Sequence, residues 1–429
     1  MGNGASSKWH RITPDGRINV RWFGATGNGS TDDLTAMQAA ANYTANNNGH
    51  LYFPAGTYIT SGTVTVDSFS RITISGDGPA LTILKRKNNT VGTVNRVLRI
   101  DGDGGDRVTV LNIGFDGNAQ NQTAPSPTTQ WQQYHNLYLL SNGSQAFSTI
   151  TLQNINSYNP LGDGISLAGS PSDGFGLANI VNVYEEGRLY TRSSITVTAN
   201  FDGVNITNFT GPVVEVEPNG YSGSYRYNLN LTNIHCNSEL DLNLPGARAA
   251  GRRGTCNANG LYLKGSLVSL GEFDFNINNF RFETKTALRM AYGSYRLVNG
   301  VIYADSAFTD TALLTEASAN PTDTAVFQAV QFSRHSSVTG LTAYFVDDNA
   351  AGAKTLVSFQ SCQFNGGTRS AAIRAGRFEF LNCTHTLTDT TTACIYTNGS
   401  TTKSGVSSYV VIQNNYLPDY AYLFRPRIS

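Results

Sequence analysis

The sequence predicts an all-β solenoid in which short parallel strands stack coil upon coil, with one α-helix near the N-terminus. Three observations lead to this fold class: a composition rich in turn residues, short apolar runs with strand alternation, and recurrence of these runs every 20–30 residues or so. Of the 429 residues, 43 are Gly and only 14% are charged, whereas hydrophobic residues reach 40%. The chain is therefore apolar enough to fold, and Gly and Asn supply its frequent turns.

The charge pattern argues against several function classes. Lys+Arg and Asp+Glu are both 30, whereas a protein that coats nucleic acid needs a clustered cationic excess. The apolar runs are too short to span a membrane, and the first residues lack the apolar stretch of a secretory signal. Neither a CxxC motif nor a His pair at ligand spacing occurs, so no metal or other cofactor is predicted.

Turn residues and periodicity divide the chain into four segments. These are a leader at 1–19, a capping segment at 20–60, a β-helix body at 61–404 and a C-terminal strand and tail at 405–429. The capping segment contains a helix predicted over 31–47, because Leu34, Met37 and Ala40 recur at helical spacing. Thr31 is its expected N-cap. A solenoid exposes unpaired strand edges at its open end, and we expect the helix to cover that end.

The body shows alternation of apolar and polar residues in short runs, for example at 148–159 and 163–169. Each unit is interpreted as one coil of short strands that hydrogen-bond to the coils on either side, ~4.8 Å away. Inward residues then stack in a narrow apolar core. Cys236 and Cys256 bracket one loop of the body and could form a disulfide; the alternative is two small buried thiols.

Residues 20–58 contain two motifs, separated by the predicted helix. The motif residues are Trp22-Phe23-Gly24-Ala25, Gly27, Gly29, Thr31-Asp32-Asp33 and Phe53-Pro54-Ala55-Gly56-Thr57-Tyr58. This segment resembles the opening of pectate-lyase-like right-handed parallel β-helix proteins. Within that superfamily, the Trp before Phe-Gly-Ala and the short polar leader are most similar to bacteriophage tailspikes. The resemblance implies a homotrimer in the virion tail that binds and cleaves capsular or O-antigen polysaccharide at the bacterial surface.

A pair of carboxylates in the middle of the body is the strongest catalytic candidate. In the strand at 213–218, alternation places Val214 and Val216 inward and Glu215 and Glu217 outward. Two such carboxylates have Cα atoms roughly 6.5–7 Å apart, which suits the acid/base pairs that hydrolyse glycosidic bonds. Residues 214–219 also resemble a strand in the middle coils of relatives. We therefore predict that Glu215 and Glu217 are catalytic; the alternative is a solvated cross-strand pair.

Further residues are predicted to bind the substrate. Aligning the coils by their inward residues places Tyr262 and Lys264 directly beside the Glu pair, and Arg289 one coil further on. A tyrosine ring packs on a pyranose, and cations hold acidic sugars. The remaining candidates lie on the same strip, on the groove rim or in an insertion at 237–256 expected to wall the binding face: Asp163, Arg188, Tyr190, Glu239 and Asp241.

The predicted reaction is hydrolysis, with one Glu as general acid and the other as the base for water. Two alternatives stay open. One is β-elimination on a uronate, with Lys264, Arg289 or a Tyr as base. The other is a non-catalytic glycan-binding fibre, because low charge and repetitive stacking suit a rigid fibre equally well.

Overall fold

The structure of the protein is a computed structural model. It describes residues 15–90, 96–123, 133–187, 193–244, 253–265, 267–291, 293–317, 323–346, 356–373, 376–386, 388, 395–397, 408–417 and 424–426. The first 14 residues of the predicted leader, and the predicted binding residues Arg188 and Tyr190, lie outside these ranges.

The described part is almost entirely β-structure. Its helices are α1, Leu34–Asn46, and two 3-10 turns at Val20–Phe23 and Ala119–Asn121. Its strands are β1 Arg17–Asn19, β2 Asn28–Asp32, β3 His50–Phe53, β4 Gly56–Thr60, β5 Val64–Val66, β6 Arg71–Gly76, β7 Thr82–Arg86, β8 Leu98–Gly102, β9 Asp106–Asp116, β10 Leu137–Ser141, β11 Phe147–Tyr158, β12 Ile165–Gly169, β13 Gly174–Glu186, β14 Ile195–Val197, β15 Asn200–Val216, β16 Asn228–Leu242, β17 Gly254–Gly265, β18 Leu267–Leu270, β19 Phe273–Thr284, β20 Leu288–Ala291, β21 Tyr295–Ala304, β22 Ala312–Ala317, β23 Thr324–Arg334, β24 Thr342–Val346, β25 Leu356–Gln360, β26 Gln363–Asn365, β27 Arg369–Ile373, β28 Gly376–Leu381, β29 Thr384–Thr386, β30 Ile395–Thr397, β31 Ser408–Gln413 and β32 Phe424–Pro426.

The strands form a right-handed parallel β-helix, as predicted. Strand β15 shows one full coil, because it pairs with β13 and β14 on one side and with β16 on the other, always in parallel. We call its segment 200–207 wall A, 209–211 wall B and 213–216 wall C, and use the same names for the strands stacked on them. The corner between walls A and B is Asn208, in the left-handed conformation (φ 56°) that Asn adopts at little cost.

The core is a column of inward side chains enclosed by the three walls. Val214 and Val216 of β15 are completely buried, and Leu240 and Leu242 of β16 lie beside them in register with at most 2% exposure. Ile165 of β12 belongs to the same cluster. The alternation seen in the sequence therefore gives the inward and outward faces correctly.

The capping segment differs from the prediction in detail. Helix α1 begins at Leu34, whereas Thr31 lies in β2. The N-cap residue is Asp33, and its carboxylate accepts hydrogen bonds from the backbone N–H groups of Thr26 (2.7 Å) and Gly27 (3.0 Å) instead of capping the helix. The buried side of α1 joins the main core through Met37. Covering of the open end by α1 stays a prediction.

Two other observations concern the body. Cys236 and Cys256 are free, buried thiols, so the possible disulfide between them is wrong. Strands β31 and β32 of the C-terminal tail stack on β28 and β30. None of the described helices has the length and apolarity to cross a membrane.

Candidate functional site

One row of outward side chains crosses wall C from coil to coil. Neighbours in this row are directly paired in register. The row reads Tyr138, Ser166, Thr196, Glu215, Asp241, Ser269 and Arg289. With ~4.8 Å between strands, it extends over roughly 30 Å and passes from an aromatic ring through hydroxyls and carboxylates to a guanidinium.

Five carboxylates gather in the middle of this row, and we call them the acidic cluster. Glu215 and Glu217 lie two residues apart on the outward face at the end of β15. Glu239 and Asp241 lie on the adjoining strand β16, with Asp241 paired directly to Glu215. Asp163 precedes β12 by two residues and influences Glu215 electrostatically. All five were predicted as site residues, and the structure brings them together.

Hydrogen bonds connect the acidic cluster to a buried histidine. The Ser193 hydroxyl donates a short hydrogen bond to Oε2 of Glu215, and the Ser193 N–H donates to Oδ1 of Asp163 at 3.2 Å. The backbone N–H of Asp163 donates to Nδ1 of His135 at 3.3 Å, and Oδ2 of Asp163 lies 3.3 Å from the same nitrogen. The His135 ring is buried and stacks on Tyr138, with 5.0 Å between the ring centroids. These contacts hold Asp163 and Glu215 in fixed positions.

The sequence analysis missed His135 and Ser193. A signal for both was present, because each precedes an inward wall-C residue by two positions, as Asp163 precedes Ile165. The three therefore occupy the same place in successive coils, since Leu137, Ile165 and Ile195 are paired in register.

Burial changes the protonation of two members of the acidic cluster. It raises the pKa of Glu215, and the negative charges of Asp163 and Glu217 raise that pKa further, while the Ser193 hydrogen bond opposes them. Burial and the charge of Glu217 raise the pKa of Asp241 to about 6. Asp241 can therefore hold a proton at a pH where an ordinary aspartate has lost it.

Two buried oxygen atoms flank Glu215 on the row. Within the described residues, neither Oδ1 of Asp241 nor Oγ1 of Thr196 has a hydrogen-bond partner. A buried polar atom without a partner is costly. The described residues contain no group of three His, Cys, Asp or Glu side chains arranged to hold a metal ion.

The predicted position of Tyr262 and Lys264 is wrong. Strand β17 pairs Tyr262 with His235 of wall B, and Lys264 pairs with Glu283 of the next coil, so neither pairs with a residue of the Glu pair. The alignment failed because β15 and β16 each continue through wall B into wall C. Leu261 therefore stacks on Ile234, the inward residue of wall B, and not on Val214.

The other predicted residues lie closer to their expected places. Arg289 is exposed on wall C, and Ser269 separates it from Asp241 along the row. Residues 239–242 of the predicted insertion are a strand of wall C itself. Glu239 and Asp241 therefore lie on wall C itself and not in a loop beside it.

Comparisons with known proteins agree on the architecture. Residues 17–208 match the family model described as rhamnogalacturonase A/epimerase, pectate lyase-like. Among solved structures, the N-terminal fragment of gene product 12 of bacteriophage Phi29 superposes with a TM-score of 0.56 at 13% identity, covering 95% of this chain and 71% of that one. Such a similarity shows a shared fold.

Two further solved structures are similar at lower TM-scores. The surface adhesin PfbA of Streptococcus pneumoniae gives 0.49 at 14% identity, covering 93% of this chain and 100% of that one. The A-module of mannuronan C-5 epimerase AlgE4 from Azotobacter vinelandii gives 0.41 at 13% identity, covering 96% and 97%. No curated protein sequence matches the chain.

Proposed function

We propose that this member of the pectate-lyase-like right-handed parallel β-helix superfamily hydrolyses glycosidic bonds of a polysaccharide at the acidic cluster of wall C. The observation that carries this proposal is the convergence of five carboxylates on adjacent coils, one of them with a pKa of about 6. Glycoside hydrolysis needs one carboxylic acid and one carboxylate across the scissile bond. The acidic cluster offers both states.

Asp241 is the general acid in this mechanism. Its raised pKa keeps a proton available, which passes to the glycosidic oxygen as the bond between that oxygen and the anomeric carbon breaks. Glu217 is the base: it takes a proton from the water that attacks the anomeric carbon. Glu217 is diagonal to Asp241 on the neighbouring strand, so their Cα atoms are roughly 8 Å apart, a spacing that suits an intervening water.

The other residues of the row bind the sugars. Glu215, fixed by Ser193, accepts a hydrogen bond from a sugar hydroxyl beside the cleavage point. Arg289 lies further along wall C, where its guanidinium can hold an acidic sugar. Because the polar row crosses many coils, it suits an extended polymer better than a small molecule.

The biological setting is the finer part of the proposal. On the resemblance of residues 20–58 to tailspikes, we assign the protein to a phage virion tail, as a homotrimer that degrades capsular or O-antigen polysaccharide. The Phi29 fragment supports this setting only in that a phage protein has the same fold. Measurement of the mass in solution tests the trimer directly.

Digestion of a panel of purified capsular and O-antigen polysaccharides tests the activity. We expect one or a few polymers to shorten, with new reducing ends and no absorbance near 235 nm, roughly where the products of β-elimination absorb. Products with that absorbance would contradict hydrolysis in favour of the lyase reaction. Binding without any change in polymer length would contradict catalysis altogether and leave a glycan-binding fibre.

Variants locate the activity. We expect Asp241→Asn and Glu217→Gln to lower kcat by roughly 10²–10⁴-fold, the usual contribution of a general acid or base. Glu379→Gln is the matched control, because Glu379 pairs with Arg377 on wall A, several coils from the acidic cluster. Equal activity of all three variants, each with an unchanged melting temperature, would remove the acidic cluster as the active site.

A further inference from the structure

The corner between walls A and B carries a ladder of asparagine side chains. Successive corner residues adopt the left-handed conformation, and each Nδ2 donates to Oδ1 of the Asn one coil earlier at 2.8–2.9 Å. The linked residues are Asn112, Asn154, Asn182, Asn208 and Asn233. The same corner position is Asn again at 279 and 299.

The coil that contains β17 interrupts this ladder, and the corner residue of β23 is Ala329. In β17 the corner residue is Gly260, with φ 73°, and no side chain occupies the place between Asn233 and Asn279. Oδ1 of Asn233 is instead in contact with Nε2 of His235 at 3.2 Å, and Nδ2 of Asn279 donates to Asn259 at 2.7 Å. The space left by the missing amide is open.

This space forms part of a groove of about 340 Å³ on the outer surface. That volume is within the range of ligand pockets. The lining residues are Asn233, His235, Gly260, Leu261, Tyr262, Asn279, Phe280, Arg281 and Asn299. The groove therefore has a glycine floor, amides along one side and wall-B side chains along the other.

The lining has the chemistry that binds a sugar ring. The rings of His235 and Tyr262 are neighbours, with centroids 5.6 Å apart and planes tilted by 36°. A Tyr side chain offers an apolar face together with a polar end. Arg281 follows on the next coil, oriented by its Nε–H bond to Glu283 at 2.6 Å, and Asn279 adds amide groups that both donate and accept.

We propose that the groove above Gly260 binds a sugar ring of the polysaccharide, at a site separate from the acidic cluster. The ligand class rests on the proposed function, whereas the site itself rests on the gap in the ladder. The groove is on wall B and the acidic cluster is on wall C. A polymer bound at the groove would therefore stay close to the acidic cluster between cleavage events, at a high effective concentration.

Filling the gap tests the proposal. Gly260→Asn restores the residue type that neighbouring coils carry in the same left-handed conformation, so the variant should fold, and it places an amide in the groove. The matched control is Ala329→Asn, because Ala329 (φ 51°) is an exposed left-handed corner residue that does not line the groove. Both variants add the same side chain at equivalent corners.

The readout is binding of limit-digest fragments, or of the intact polymer if the wild type leaves it uncut, from the polysaccharide panel. We expect Gly260→Asn to weaken binding at least fivefold and Ala329→Asn to leave it unchanged. Tyr262→Ala, which empties the groove instead of filling it, should weaken binding as well. Calorimetric titration and a melting curve on each variant give affinity and folding together.

Three results would overturn the groove as a sugar site. The first is equal affinity of the Gly260→Asn and Ala329→Asn proteins. The second is a change of oligomeric state in Gly260→Asn, which would make the groove a contact between copies of the chain. The third is a wild type that binds no polymer of the panel. Failure of hydrolysis is seen separately, as a wild type that binds a polymer without shortening it.

Discussion

Walls B and C share one backbone plan and one apolar core, yet their outward faces carry opposite chemistry. Wall C presents the acidic cluster, in which Glu215 and Asp241 are partly buried. Wall B presents His235, Tyr262 and Arg281 on successive coils, with His235 and Arg281 exposed. The inward positions of both walls are mostly Val, Leu, Ile or Phe in these coils, with Cys236 on wall B as an exception.

The difference shows how a β-helix separates folding from function. Alternation along a strand fixes only every second residue for the core, so the outward residues of each wall are free to differ. Burial then adds a second distinction, because carboxylates that are taken out of water and placed beside one another hold protons more tightly. Glu215 and Asp241 of wall C therefore have raised pKa values, unlike ordinary surface carboxylates.

The pH dependence of cleavage gives the largest expected effect on wall C. Asp241 must be protonated to act as the general acid, and burial with the charges of Glu217, Glu215 and Glu239 gives it a pKa of about 6. Above that pH, kcat/KM should fall roughly tenfold per pH unit, to about a thousandth by pH 9. Profiles of kcat/KM against pH, measured on the polysaccharide that the wild type cleaves, would show this decrease as an alkaline limb.

The control for that profile is the residual rate of Asp241→Asn. Asn does not titrate, so the limb near pH 6 should disappear from the variant. A limb that persists unchanged would assign the titration to another group and contradict the role of Asp241.

A buried histidine in the C-terminal coils should affect acid unfolding independently of the titration of the carboxylates on wall C. His385 is completely buried, stacked on Phe364, with its Nδ1 2.6 Å from the Ser370 hydroxyl and its Nε2 3.2 Å from Oδ1 of Asn415. Burial lowers the pKa of His385 to about 4 from an ordinary 6.5. Between those values the unfolded chain binds the proton and the folded chain does not.

Stability should therefore fall as the pH is lowered from 6.5 to 4, by up to about 3 kcal/mol from His385 alone. The raised pKa values of Glu215 and Asp241 act in the opposite sense, because there the folded state takes up protons first. Urea unfolding of the wild type and of His385→Gln at pH 7 and pH 4.5 measures the contribution of this histidine to the pH dependence of the free energy of unfolding. An identical pH dependence in the two proteins would show that His385 does not contribute.

Much of the fold and part of the site follow from the sequence in physical terms. The alternation of apolar and polar residues predicted the inward residues, and the motifs of residues 20–58 predicted the superfamily. Glu215 and Glu217 were found because a strand places alternate residues on one face. Asp241 was predicted only as a binding residue, because the segment around it was expected to be a loop, whereas it is a strand of wall C.

What the sequence left open is which wall a given strand belongs to. A single left-handed corner residue, such as Asn208 between the inward Ile206 and Phe209, turns the chain from one wall to the next and adds only one residue to the apolar alternation. Tyr262 was therefore assigned to wall C, although it lies two residues past the corner at Gly260, on wall B. The coil lengths that set this register depend on contacts between residues far apart in the sequence.

The smallest expected effect comes from a hydroxyl beside the proposed general acid. Ser269 pairs in register with Asp241, and its hydroxyl lowers the pKa of Asp241 against the larger effect of burial. Ser269→Ala removes this hydroxyl, so the pKa of Asp241 should rise and the alkaline limb should move upward by up to about one pH unit. At pH 8 the variant should then cleave up to about tenfold faster than the wild type, since more of Asp241 holds its proton. Ser333→Ala, an outward serine of wall B, should leave the limb in place, and a limb that moves equally in both variants would contradict the assignment of the titration to wall C.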